Sequence, residues 1–292
     1  MIIQRALKRH PPSYLVKGSF KRAFGILTGP LRSLPDFLII GAQRCGTTSL
    51  FNYLSQHPAI LPSFPKEVHF FSNHYDKGLT WYRSHFPLEI QRRRSGMQNG
   101  KQRCMAVEGT PYYFSHPLAP RRIFEAVPEA RLLLLLRNPG DRAYSHYQYE
   151  VKLGFESLSF EEAIEAEAER LASEKEKILQ DQNYHSFAHQ HYSYLSRGKY
   201  IDFLGEWESF LNRGKILVLK SEDFYVHPEK TITQVLEFLG LPDWKVSKFK
   251  KYNFTTYAPM QPKTRQHLNA VFEADNARLS DALGANFDWG SN

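Results

Sequence analysis

The sequence predicts an α/β fold of the P-loop-containing type, a three-layer arrangement in which helices flank a central parallel sheet. Two observations lead to this prediction. Short apolar runs alternate along the chain with segments of helical periodicity, which is the pattern of βα units. The first apolar run continues through a glycine-bearing turn, GAQRCGTT at 41–48, into a helix. With 292 residues and 42% hydrophobic content, the chain can bury one large core.

The predicted elements follow one another along the chain. Strands are expected at 37–40, 105–108, 131–136 and 216–219, where apolar residues run continuously. Helices are expected at 47–55, 117–127, 139–153, 159–180, 229–239 and 262–283. A capping box of Ser159 and Glu162 opens the fourth helix, and Gly240 ends the fifth. The acidic run at 161–179 is expected to be a solvated helix face. Residues 36–292 are therefore predicted to form a single domain.

Positive charge is concentrated at the N-terminus. The net charge of +8 favours anionic partners, and residues 1–35 hold seven basic residues and no acidic one. Two interpretations of this basic N-terminal arm stay open: an arm that lies on a membrane surface or a polyanion, and a leader packed loosely on the domain. The sequence has no signal-peptide pattern and no apolar run of about 20 residues. We therefore expect a cytoplasmic protein, with peripheral membrane contact through the arm as an option.

The glycine turn departs from the P-loop pattern G-x-x-x-x-G-K-[ST], because Thr47 stands where the lysine belongs. Its backbone N–H groups and the helix that follows still suit a phosphate. The residues expected to bind that phosphate are Arg44, Cys45, Gly46, Thr47, Thr48 and Ser49. A kinase or NTPase also needs a carboxylate for magnesium at a strand end, whereas the strand at 131–136 runs into Arg137 and Asn138. Glu222 and Asp223, just beyond the strand at 216–219, keep that alternative open.

Several spaced motifs resemble the sulfotransferases that use 3′-phosphoadenosine 5′-phosphosulfate (PAPS). They are LIIGAQRCGTTSL at 38–50, KEVHFF at 66–71, HYDKGLTWYRSHFP at 74–87, VEGTPYYF at 107–114 and LLLRNPGDRAYSHYQ at 134–148. The sequence is most similar to the heparan sulfate N- and O-sulfotransferase branch and its bacterial relatives. This resemblance implies PAPS as co-substrate, no required metal, and a loop that holds the 5′-phosphosulfate, which needs no P-loop lysine.

The resemblance also implies roles for individual residues. Sulfuryl transfer requires a base for the acceptor proton and positive charge at the leaving phosphate. Glu67 matches the family's catalytic glutamate; taken alone, it could instead be a surface carboxylate paired with Lys66. His69 is similar to a histidine that assists in some members, although it could instead be a packed side chain. Arg44 replaces the usual lysine and, because arginine stays protonated, would stabilise charge without donating a proton. Arg137 and Ser145 match the pair that holds the 3′-phosphate.

Three further features of the sequence bear on the predicted site and on metal binding. Gly109 stands where many relatives place a lysine near the sulfate, so one expected cation is missing. The histidines at 185, 189 and 191 lack an accompanying carboxylate or cysteine pattern, and we assign them no metal. The two cysteines, Cys45 and Cys104, offer neither a disulfide framework nor a zinc spacing.

We therefore expect an enzyme that transfers a sulfuryl group from PAPS to a hydroxyl or amine, with a saccharide as the favoured acceptor. Four alternatives stay open: a lipid acceptor, a small-molecule alcohol, a P-loop kinase or NTPase, and a non-catalytic protein that binds polyanions. Nucleic acid is not an expected partner. The motifs indicate no oligomeric state.

Overall fold

A computed structural model describes residues 25–98, 103–250, 252 and 257–289. Five parallel strands form one sheet in the order β2-β3-β1-β4-β5. The strands are β1 (Phe37–Gly41), β2 (Ile60–Pro62), β3 (Met105–Gly109), β4 (Arg131–Leu136) and β5 (Ile216–Lys220). The predicted α/β fold with a central parallel sheet is confirmed. The short edge strand β2 was not predicted.

Helices occupy most of the chain between the strands. In the first half they are α1 (Thr47–Leu54), α2 (Phe70–Asn73), α3 (Gly78–Arg83), α4 (Glu89–Gln98), α5 (Ala119–Ala126) and α6 (Pro139–Leu153). In the second half they are α7 (Phe160–Glu165), α8 (Glu167–Arg170), α9 (Glu174–Gln180), α10 (Phe187–His191), α11 (Tyr200–Leu204), α12 (Glu208–Leu211), α13 (Ser221–Val226), α14 (Pro228–Leu239) and α15 (Pro262–Leu283). Short 3₁₀ turns lie at Gly29–Leu31, Tyr75–Lys77, Pro111–Ser115, Ser196–Gly198 and Gly205–Trp207.

The prediction of one continuous helix at 159–180 is wrong, because α7, α8 and α9 replace it. The capping box at its start is present as predicted. The backbone of Ser173 has a φ of 60°, which lies outside the helical region and interrupts the run before α9.

The prediction that the acidic run is a solvated face also fails in part. Glu167 is buried and accepts hydrogen bonds from the backbone N–H groups of Leu195 and Ser196, at 2.6 and 2.7 Å. Glu174 is buried as well and accepts from the Tyr184 hydroxyl at 2.9 Å. These carboxylates tie the helices to a later loop, which accounts for their burial.

Strand β1 lies in the middle of the sheet, and all five of its residues are buried. Burial on both faces explains why its sequence is continuously apolar rather than alternating. In the register of the sheet, Ile39 pairs with Gly109 of β3 and Gly41 pairs with Leu134 of β4. The segments that leave the carboxyl ends of these three strands therefore meet at one edge, where open α/β sheets bind their ligands.

The last part of the predicted basic arm packs on the domain, whereas residues 1–24 lie outside the described residues. Arg32 pairs with Leu88 in an antiparallel bridge, and Arg83 donates a hydrogen bond to the Arg32 carbonyl at 2.7 Å. Within the described ranges, no helix is long and apolar enough to cross a membrane.

Candidate active site

The loop between β1 and α1 presents its backbone at the carboxyl edge of the sheet. Gly46 is the N-cap of α1, with a φ of 90°, and α1 begins at Thr47. The first N–H groups of a helix have no acceptor within the helix and attract an anion. A Cβ on Gly46 would lie 3.0 Å from Cε1 of Tyr225. Glycine is therefore required here both by the backbone conformation and by the neighbouring ring.

Cys45 anchors the loop to the core of the domain. Its side chain is fully buried, with Sγ 4.0 Å from the Tyr200 hydroxyl, and burial raises the pKa of the thiol to about 11. Its carbonyl accepts a hydrogen bond from the Ser221 hydroxyl at 2.8 Å. Of the predicted loop residues, Cys45 thus directs its side chain into the core, as a neutral thiol.

Arg44, Arg137 and Ser145 are brought together, although they come from three different segments. Arg44 Nε donates to Ser145 Oγ at 3.1 Å, and its guanidinium lies 4.8 Å from the centroid of the Tyr149 ring. Arg137 Nη1 lies 3.4 Å from the Arg44 carbonyl oxygen, to which it donates. Two guanidinium groups and a hydroxyl therefore form one cluster beside the loop, the arrangement that a phosphate needs.

Glu67, in the segment between β2 and α2, lies beside the carboxyl end of β3, where its N–H donates to the Gly109 carbonyl at 3.2 Å. Its side chain is 41% exposed and stands between Lys66 and His69: Lys66 Nζ is 2.6 Å from Oε1, and His69 Nε2 is 3.6 Å from Oε2. Burial acts to raise the pKa of Glu67, but the contacts with His69 and Lys66 outweigh it and lower the pKa to about 2. The carboxylate is therefore ionised at neutral pH.

Three residues of the candidate site have a strained backbone conformation. Arg44, Glu67 and His69 have φ values of 69°, 63° and 55°, in the left-handed region that non-glycine residues rarely adopt. Within the described chain, only Ser173 and Asp288 share this property among non-glycine residues. Strain of this kind persists where the surrounding structure enforces it, often at functional sites.

A buried network that the sequence reasoning missed supports His69. The His69 N–H donates to Thr110 Oγ1 at 3.3 Å, and the Thr110 hydroxyl in turn donates to the buried carboxyl of Glu108. Glu108 also accepts from the Tyr82 hydroxyl at 2.8 Å, and burial raises its pKa. The motif VEGTPYYF signalled this region, but no spacing rule assigns these partners.

A second buried network reaches the loop from the other side. Arg197 Nη1 donates to Gln43 Oε1 in the loop at 2.5 Å, and Arg197 Nη2 donates to the His189 carbonyl at 2.5 Å. The His189 ring is 2.8 Å from the Tyr112 hydroxyl, whereas His191 pairs with Glu150 at 2.9 Å. In the part of the chain that the structure describes, no three His, Cys, Asp or Glu side chains are grouped to hold a metal ion.

Glu222, one of the two carboxylates considered for magnesium, has structural partners. It accepts from the Asn138 N–H at 2.8 Å and from the Trp289 indole at 3.3 Å. The Asn138 side chain caps α6 by accepting from the Asp141 N–H at 3.1 Å. Glu222 therefore fixes the turn that places Arg137 beside the loop.

Comparisons with known proteins identify the family and support the fold. The family model of the sulfotransferase domain matches residues 34–272. A crystal structure of a sulfotransferase from Alicyclobacillus acidocaldarius is 30% identical, covers 89% of this chain and 100% of its own, and has a TM-score of 0.65.

Two curated relatives extend the comparison. The membrane-associated sulfotransferase kil1 of Dictyostelium discoideum is 26% identical over 326 residues, covering 89% of this chain and 68% of kil1. The human bifunctional heparan sulfate N-deacetylase/N-sulfotransferase 1 is 32% identical over 219 residues. That match covers 71% of this chain but only 22% of the human protein, so the chain spans a minor part of the bifunctional enzyme.

Proposed function

This chain belongs to the sulfotransferase domain family and is a sulfotransferase, and from that premise we propose that it moves the sulfuryl group of PAPS to a saccharide amine or hydroxyl. One observation carries the proposal. The phosphate-binding loop, the cluster of Arg44, Arg137 and Ser145, and the ionised Glu67 all lie along the carboxyl edge of the sheet. A donor site and a base are thus combined in one place.

The residues present fit a donor with two separate phosphate groups. The loop N–H groups at the start of α1 suit the 5′-phosphosulfate, and Arg137 with Ser145 suits the 3′-phosphate. Arg44 bonds to Ser145 and is itself part of the loop, so it connects the two positions. We propose that no metal is required, because these groups supply positive charge for both phosphates.

The proposed base receives the proton that the acceptor loses during the transfer. Glu67 accepts the proton of the acceptor amine or hydroxyl as the new bond to sulfur forms. The bond between sulfur and the bridging phosphate oxygen breaks, and its electron pair stays on that oxygen. Arg44 and the loop N–H groups stabilise the resulting charge. The products are the sulfated acceptor and 3′-phosphoadenosine 5′-phosphate (PAP), and His69 orients Glu67 from its Oε2 side.

The saccharide acceptor is supported by the heparan sulfate sulfotransferases among the relatives. A lipid or a small alcohol would react by the same steps. The membrane-associated relative and the basic residues of 1–35 support peripheral contact with an anionic membrane as part of the proposal. A cytoplasmic location stays a prediction.

Thermal unfolding in excess EDTA tests the donor site. A ligand at about 100 times its dissociation constant stabilises a protein by about 2.7 kcal/mol, which is readily seen as a rise in melting temperature. We expect PAP to raise the melting temperature and AMP, which lacks the 3′-phosphate, to raise it far less. Stabilisation by magnesium ATP alone would overturn the proposal in favour of a kinase or NTPase. Strong PAP binding without any transfer would identify a non-catalytic binding protein.

A further inference from the structure

Lys66 lies between the base and the helix that begins at the phosphate-binding loop. Its Nζ is 2.6 Å from Glu67 Oε1 and 5.9 Å from the centroid of the Phe51 ring. Phe51 is buried in α1, one turn beyond Thr47 at the start of that helix. The Lys66 side chain is only 17% exposed. An ammonium is thus held in the site on a long, flexible stem, next to the base and beside helix α1.

The reaction places negative charge close to this ammonium. The sulfuryl oxygens carry negative charge, and they must come near an ionised carboxylate, which repels them. Arg44 is directed to Ser145 and Tyr149, on the side of the other arginine. The end of β3 supplies no cation either, because residue 109 is a glycine, and a Cβ there would lie 3.2 Å from Phe51.

We propose that Lys66 is a catalytic residue that leaves Glu67 when PAPS binds and donates hydrogen bonds to the oxygens of the transferring sulfuryl group. The inference rests on the proposed function. Lys66 keeps its proton throughout, so the atom and charge balance of the transfer is unchanged. Lysine suits the task because its ammonium has three donors on a rotatable stem and can move between partners.

The exchange has two effects on the reaction. The ammonium neutralises charge on the sulfuryl group as it passes from donor to acceptor, which stabilises the transition state. Its departure also frees Glu67 from a contact that weakens the carboxylate as a base. In the pair that the structure shows, the ammonium therefore makes Glu67 a weaker base, and its transfer to the sulfuryl group makes Glu67 a stronger one.

Three variants test the role of Lys66: Lys66→Met, Lys66→Arg, and Lys77→Met as the matched control. Lys77 is exposed and lies 4.9 Å from the Trp81 ring, so its loss removes a nearby cation of the same kind. Calorimetric titration in EDTA would give affinities for PAP and PAPS. Labelled PAPS with N-desulfated heparin as the probe acceptor would give kcat.

For Lys66→Met we expect the affinity for PAP, which lacks the sulfuryl group, to change by less than about 2-fold. We expect the affinity for PAPS to fall about 10-fold and kcat about 100-fold, the effect of removing one transition-state donor. The acid limb of kcat/KM should move to higher pH, because the pKa of Glu67 rises once the ammonium is gone. Lys66→Arg should recover part of kcat, and Lys77→Met should match the wild type.

Equal loss of PAP and PAPS affinity, or an unchanged kcat in Lys66→Met, would overturn the inference while leaving the proposed function intact. If the wild-type protein neither binds PAP nor transfers the label, the proposed function fails and the role of Lys66 fails with it. The melting temperatures of the three variants show whether a loss of kcat reflects misfolding. If Lys66→Met is misfolded, the kcat of Lys66→Arg tests the inference in its place.

Discussion

At the scale of single residues, the charged side chains of the candidate site are paired with other protein groups. Glu67 contacts Lys66 and His69, and Arg44 contacts Ser145, so each group proposed to act on the substrate has a protein partner. Such pairing stabilises the charged forms in the absence of substrate. In the proposed function, binding of the donor exchanges these partners for substrate atoms, and Arg137 with Ser145 supplies the selectivity for the 3′-phosphate.

Replacing Arg137 tests that selectivity. We expect Arg137→Ala to lower the preference for PAP over AMP about 10- to 100-fold, because a hydrogen bond to a charged group contributes about 1.5–3 kcal/mol. Ser145→Ala, which removes a neutral donor, should lower it several-fold. Competitive titration of PAP and AMP measures the ratio.

Arg131 provides the control for this prediction. It lies at the opposite end of the same strand and donates to the Leu239 carbonyl at 2.5 Å. Arg131→Ala should leave the ratio of PAP to AMP affinity unchanged even if the protein is less stable. An unchanged ratio in Arg137→Ala would contradict the assignment of the 3′-phosphate position.

At the scale of elements, the burial of a segment determined whether its strand or helix could be predicted from the sequence. Strands β1 and β4 were predicted within one residue, because their continuous apolar runs are buried on both faces. The three-residue strand β2 was missed, since it is too short to show a period. The helix at 159–180 was predicted too long because Glu167 and Glu174 resemble solvated residues until their hydrogen-bond donors, a backbone N–H of the later loop and the Tyr184 hydroxyl, are known.

The loop-to-helix junction gives a second prediction. Gly46→Ala should destabilise the protein by about 1–3 kcal/mol and should also weaken PAP binding, because the loop must shift away from Tyr225. Gly284 is the matched control: it also has a positive φ, 58°, but nothing lies within 4 Å of a Cβ there. Gly284→Ala should cost about 1 kcal/mol and leave PAP binding unaffected. Equal PAP affinity in Gly46→Ala would contradict the role of the loop backbone.

Helix α10 gives a prediction about pH. Burial, with Arg197 nearby, lowers the pKa of His189 to about 3. An unfolded histidine binds a proton near pH 6.5, so the stability present above that pH is lost as the pH falls toward 3, by about 2 kcal/mol at about pH 5. His189→Asn keeps an acceptor for the Tyr112 hydroxyl but does not titrate.

Urea unfolding at neutral and mildly acidic pH checks this prediction. The free energy of unfolding of the wild type should fall more on acidification than that of His189→Asn. The difference between the two losses should approach the value of about 2 kcal/mol expected from the protonation of one histidine at about pH 5. The exposed His267→Asn serves as the control and should follow the wild type. Identical losses in the wild type and His189→Asn would show that His189 is not held neutral in the folded protein.

At the scale of the whole molecule, the site is assembled from segments far apart in sequence. Arg44 and Ser145 are 101 residues apart, and Arg197 reaches Gln43 across 154 residues. Motif resemblance could assign roles to matching positions, and the sheet register explains why their segments meet. The sequence could suggest the contact between the adjacent residues Lys66 and Glu67. It could not reveal the pairing of Arg197 with Gln43, because that contact depends on packing that no local pattern encodes.

One measurement tests the central claim most directly: transfer of label from sulfur-labelled PAPS to N-desulfated heparin in EDTA, by the wild type and by Glu67→Gln. We predict metal-independent transfer by the wild type and a loss of kcat of about 100-fold or more in Glu67→Gln, the contribution expected of a general base. PAP affinity should be the same in both proteins. Equal rates in the two proteins, or a wild type that binds PAP and transfers no label, would contradict the account.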